Sequence, residues 1–116
     1  MKKALLLVSA GIFFIAFNAC SGSKSTTTTA SAISYNGQVK AIIDANCAST
    51  CHNAVRPAAG IDLTTYANVK QYTLEGKLLP AIQHAEGADP MPKKSPKLDD
   101  ATINTIVTWA SSGAAE

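Results

Sequence analysis

Cys47, Cys51 and His52 stand within six consecutive residues, Cys47-Ala48-Ser49-Thr50-Cys51-His52. Two thiols and an imidazole in that order can hold a haem: each thiol adds across one vinyl group to form a thioether, and the histidine beside the second thiol is carried beneath the iron. The commonest form of this signature, C-x-x-C-H, has two intervening residues, and this chain has three. The vinyl groups set the distance between the thiols, so the extra residue is expected to be looped out without moving Cys51 relative to His52. Three other chemistries use the same side chains. A Cys47–Cys51 disulfide suits an exported chain, but it leaves His52 without a role. Cys47, Cys51, His52 and the distant His84 make a Cys/His set for zinc, although structural zinc sites use compact ligand pairs and His84 has no partner beside it. A thioredoxin-type redox pair needs C-x-x-C near a βαβ pattern, and the chain has neither.

A haem iron held by histidine takes a second axial ligand, and in electron-transfer proteins that ligand is commonly a methionine thioether. Apart from the initiator Met1, the chain has one methionine, Met91, in Asp89-Pro90-Met91-Pro92. Proline on either side restricts the backbone there, so Met91 is expected on a stiff, non-helical segment that needs little further ordering. A lone methionine is by default core filler, but Met91 is followed by Lys93 and Lys94 and has no apolar stripe around it. His84 is the rival distal ligand; it closes an apparent helix instead of sitting on a clamped loop.

Met1-Lys2-Lys3 followed by the apolar run from Ala4 to Phe17 has the basic and hydrophobic regions of a secretory signal. Its 14 residues are short for a bilayer span, which needs about 20. The run ends in Phe17-Asn18-Ala19-Cys20, similar to the lipobox at which bacterial lipoproteins are cleaved and acylated on cysteine; Ala19 fits the pattern, and Phe17 and Asn18 depart from it. Residues 1–19 are thus expected as signal peptide, Cys20 as the lipidation site, and residues 20–34, rich in Ser and Thr, as a flexible tether. Several acyl chains give stable anchoring, so the chain is expected at the cell envelope, tethered to a membrane on the periplasmic side. Loss of Lys2 and Lys3 takes ten basic residues to eight against eight acidic ones, and the net charge from +2 to 0. Nothing in that balance points to nucleic acid. Lys93, Lys94 and Lys97 cluster locally, either as a solvated loop or as a docking patch for an acidic redox partner.

The remainder, residues 35–116, reads as one domain without internal repeats, small enough that a hydrophobic core alone gives little margin. Tyr35, Val39, Ile42 and Ile43 recur at helical spacing and predict a helix that delivers Cys47. Pro57 and Gly60 mark a loop. A short helix is expected over Ile61 to Val69 with Asp62 or Thr64 as N-cap. A further helix is expected between Glu75 and His84, which Pro80 either starts near Lys77 or kinks. Asp99 and Asp100 open the last helix, with Ile103, Ile106, Val107 and Ala110 as its apolar stripe and Gly113 as its stop. Trp109, beside that stripe, is expected to pack on the first helix or on the haem edge.

On these residues the chain resembles a class I cytochrome c, and more closely the small haem-c lipoprotein domains of bacteria such as the Bacteroidetes. The resemblance runs from Tyr35 to Gly113: a helix into Cys47-x-x-x-Cys51-His52, then Gly60-Ile61-Asp62-Leu63 and Tyr66, Met91-Pro92, Leu98, and a terminal helix ending at Trp109 and Gly113-Ala114. The chain departs from the family at Val39 and Ile43, where a glycine and an aromatic are common at the crossing of the first and last helices. The resemblance implies an all-α fold wrapped round one covalent haem c, with Cys47 and Cys51 as attachment sites, His52 as proximal and Met91 as distal iron ligand. The expected function is that of a membrane-anchored, monomeric electron carrier between redox partner proteins, and not of an enzyme. Two alternatives stand beside it: a haem-based ligand-binding or sensor module, and a non-haem structural lipoprotein with a Cys47–Cys51 disulfide.

Overall fold

The computed structural model describes residues 32–116. The expected signal peptide, the Cys20 lipidation site and tether residues 20–31 lie outside the described residues. Within them the chain is all-α, with no strand, and no helix is long and apolar enough to cross a membrane.

Helix α1 is built of three contiguous segments, Tyr35–Val39, Lys40–Ile43 and Asp44–Ala48; the outer two are wound with wide, π-type turns and the middle one is α-helical. Ser34 caps it: its Oγ accepts from Gly37 N at 3.1 Å, while Ser34 N–H donates to Gln38 Oε1 at 3.0 Å. This is a capping box in which the wide first turn moves the reciprocal partner one residue along. Tyr35, Val39 and Ile43 recur every fourth residue and are buried; Ile42 lies at the margin of the same core.

Wide winding continues through the cysteine motif. Ser49 N–H donates to Asp44 O at 3.1 Å and His52 N–H to Cys47 O at 2.9 Å, each spanning five residues where an α-helix spans four. Cys51 N–H also donates to Cys47 O, at 3.4 Å, so one carbonyl takes both a four-residue and a five-residue bond at the motif.

The helix expected over Ile61 to Val69 begins later. Asp62 Oδ1 accepts from Thr64 N–H at 2.8 Å and from Thr64 Oγ1 at 2.7 Å, an Asx turn that competes with helix. Those bonds hold the Asp62 carboxylate below its ordinary range. Helix α2 then runs Tyr66–Leu74, with Thr65 as the cap accepting from Asn68 N. Helix α3, Leu78–Gln83, starts after Lys77. Pro80 thus falls in its first turn, where backbone N–H groups have no partner within the helix, and no kink is needed. Helix α4, Asp100–Ser111, is capped by Asp99, which accepts from Thr102 N at 2.9 Å and Thr102 Oγ1 at 2.7 Å. Its buried line is Ile103, Ile106 and Trp109, with Val107 and Ala110 on the margin.

Trp109 packs on the first helix. Its ring centroid lies 6.0 Å from that of Tyr35, which in turn lies 5.3 Å from Tyr66, both at tilted angles, within the favourable range for aromatic pairs. Val39 and Ile43 do not prevent this approach of first and last helices. Gly113, at φ 98°, turns the chain back across the cluster. Ala114 O then accepts from Tyr66 OH at 2.8 Å, and Ala115 O accepts from Trp109 Nε1 at 2.7 Å and Tyr35 N at 2.9 Å. Helices α1, α2 and α4 are thereby joined at one end, and the cysteine motif sits at the other end of α1.

Candidate functional site

A cleft of about 1150 Å³ opens beside the cysteine motif, somewhat above the ~300–1,000 Å³ usual for small-molecule sites. Cys47, Cys51 and His52 line it, as do Met91 and Pro92. Four of the residues singled out by chemistry alone, from two stretches some forty positions apart in sequence, thus meet in one cavity. Leu63, Leu78, Ile82 and Leu98 supply apolar wall.

His52 is buried. Its ring Nδ1 lies 2.9 Å from Ile61 O, and because a carbonyl only accepts, Nδ1 carries the proton. Nε2 is then the ring nitrogen left for a ligand, and it has no hydrogen-bond partner among the described residues. A backbone carbonyl on one nitrogen is the usual way to fix the tautomer and ring direction of a metal-binding histidine. The same segment holds the main chain of the motif, since Leu63 N–H donates to His52 O at 2.9 Å and Ala58 N–H to Cys51 O at 2.8 Å. Ile61 therefore has a role that its apolar side chain does not advertise: its carbonyl orients His52.

Cys47 and Cys51 are both free thiols, the first half-buried and the second exposed. Burial, with a smaller contribution from Cys51, pushes the Cys47 thiol up to about 11. At neutral pH Cys47 is a protonated thiol in apolar surroundings, which makes it a poor thiolate ligand or redox nucleophile.

Met91 sits on a half-buried stretch between Pro90 and Pro92, and the Met91–Pro92 peptide is cis. Its N–H donates to Ala81 O at 3.0 Å. His84 does not line the cleft; its Nε2 lies 3.1 Å from Met91 O and donates to it. Of the two residues weighed as distal ligand, Met91 is brought to the cleft and His84 is turned to the Met91 backbone. Among the described residues no three His, Cys, Asp or Glu side chains form a group that could hold a metal ion, so the set considered for zinc is not assembled. The residues that line the cavity include one imidazole, one thioether and two thiol side chains.

The lysine cluster is exposed. Lys93 pairs with Asp89 and Lys97 with Asp100, each at 3.3 Å, pairs too solvated to add much stability. Tyr72 also lines the cleft, with Lys77 Nζ 5.5 Å from its ring centroid; sequence patterning alone carried no sign of this wall residue.

Compared with known protein families, characterised proteins and solved structures, the chain matches none.

Proposed function

We propose that this chain is a monohaem cytochrome c of the class I type, exported, anchored to a membrane through acylated Cys20, and used to pass single electrons between redox proteins. The observation that carries this reading is His52: buried, lining the same cleft as Cys47 and Cys51, its Nδ1 committed to Ile61 O and its Nε2 without a hydrogen-bond partner among the described residues. The donor set fits the group. Cys47 and Cys51 would hold it covalently, and His52 Nε2 and the Met91 sulfur would be its iron ligands. Bound there, haem supplies one-electron exchange between ferric and ferrous iron, and a His/Met pair favours a raised potential.

The chain's own contribution is positional. Ile61 O holds the imidazole in one tautomer and strengthens its remaining lone pair. The Ala81 carbonyl holds the Met91 main chain. Leu63, Leu78, Ile82 and Leu98 give the cleft an apolar wall against which a large apolar ring can pack. None of these groups need move between oxidation states, as suits a carrier.

The test is expression with haem-c maturation followed by a pyridine haemochrome spectrum and an intact mass. Covalent haem on the mature chain is expected; a chain lacking it, or carrying a Cys47–Cys51 disulfide instead, refutes the reading. Met91→Ala is expected to turn a low-spin spectrum into that of a five-coordinate or water-ligated iron, and an unchanged spectrum removes Met91 as ligand.

A further inference from the structure

We propose that His84 is the positioning residue for Met91, its ring fixing how firmly the methionine sulfur is presented to the cleft; this rests on the haem reading above. Both polar main-chain groups of Met91 are held by the C-terminal end of α3. Its N–H donates to Ala81 O at 3.0 Å and its carbonyl accepts from His84 Nε2 at 3.1 Å. Ala81 O also accepts from His84 N at 3.2 Å, so one helix-end carbonyl gathers both residues.

Little else holds the loop in place. From Ala85 to Pro90 every residue except half-buried Ala88 is exposed, and the one internal main-chain bond is Ala88 N to Ala85 O at 3.1 Å. No large apolar side chain of that stretch enters the core. The Lys93–Asp89 pair is exposed and correspondingly weak.

The backbone at His84 decides which substitutions can test this. It caps α3 in the left-handed region, at φ 54° and ψ 41°, with Ala85 N–H returning to Pro80 O at 2.9 Å. Glycine or asparagine takes that conformation at less cost and is the usual residue at such a cap. Histidine adopts that region more readily than most side chains and less readily than glycine, and its side chain makes one hydrogen bond, to Met91.

The experiment uses the mature haem-loaded protein and three forms: wild type, His84→Gly and His84→Gln. Glycine keeps the left-handed cap and removes the donor, whereas glutamine places an amide N–H at a reach similar to Nε2. Imidazole titrated into the ferric protein competes with Met91 for the iron. Loss of one hydrogen bond between neutral groups should raise the imidazole affinity of His84→Gly roughly two- to tenfold. Its reduction potential should fall, and its urea midpoint should hold or rise. His84→Gln should stay near wild type in affinity and potential. Unchanged imidazole affinity in His84→Gly overturns the proposal, as does a His84→Gln protein as loosened as His84→Gly. A chain purified without covalent haem defeats the haem reading itself, an outcome separate from either of these.

Discussion

Trp109→Phe tests where the structural and functional ends of the domain divide. The indole is fully buried, stacks against Tyr35 with centroids 6.0 Å apart, and donates to Ala115 O at 2.7 Å. Phenylalanine keeps an aromatic face for Tyr35 but lacks about two ring carbons and the N–H. At ~0.8 kcal/mol per buried carbon the lost burial comes to about 1.6 kcal/mol, and the lost hydrogen bond adds about 0.5–1.5. Ala115 O is not orphaned, because Tyr35 N–H still reaches it at 2.9 Å. The sum, about 2–3 kcal/mol, corresponds to a fall in melting temperature of about 10–20 °C for a domain of this size. Thermal unfolding followed by far-ultraviolet circular dichroism measures it. Trp109 does not line the cleft, so the absorption spectrum and imidazole affinity of the haem-loaded variant should match wild type. A Trp109→Phe protein of wild-type stability, or one whose imidazole affinity rises as in His84→Gly, would refute the assignment of Trp109 to the core.

Three further outcomes are expected. Tyr35 OH is buried without a hydrogen-bond partner among the described residues, so Tyr35→Phe removes an unmade bond and should be neutral or stabilising by about 1 kcal/mol in urea denaturation; a clear loss of stability would reveal a partner for that hydroxyl. Hydrogen bonds from the Thr102 hydroxyl and then its N–H hold the Asp99 carboxylate below its usual range. That contribution is complete above the ordinary value of ~3.9 and is lost as pH falls through the lower folded value. Asparagine caps without titrating, so any advantage of wild type over Asp99→Asn at pH 7 should shrink by pH 3, and a difference that stays constant contradicts this. With Cys47 pushed up to about 11 by burial and, less, by Cys51, iodoacetamide should label it in haem-free chain at pH 8 on the order of 100-fold more slowly than an ordinary thiol of pKa ~8.5. Labelling at the ordinary rate, scored by peptide mass spectrometry, would show that the thiol is not buried.

The order of helices, the cap at Asp99 and the stop at Gly113 all follow from local rules, and so do the start of α3 after Lys77 and the apolar spacing along α1 and α4, whereas Ser34, expected in the tether, instead caps α1. The start of α2 was less legible because Asp62, Thr64 and Thr65 are all plausible caps. Two of them bond to each other in an Asx turn, leaving the third to cap. His84 was legible as a chemical group and not as a part. Its spacing from Met91 does not disclose that the loop folds back on α3, so a possible iron ligand turned out to be a donor to the backbone of another.

Residue identity alone determined the chemistry available to this protein: two thiols, an imidazole beside the second, and one methionine between prolines. These are intrinsic properties of side chains and of covalent neighbours, and no folding is needed to know them. Tertiary structure decided what local sequence cannot encode, because it depends on contacts between distant segments: that Met91 and His52 line one cleft, that Ile61 O sets the His52 tautomer, and that Trp109 serves the core. It also decided the winding at the cysteine motif: Cys47 O accepts from both Cys51 N–H and His52 N–H, at the end of a helix that the buried Tyr35, Val39, Ile43 and Ala48 hold against the core.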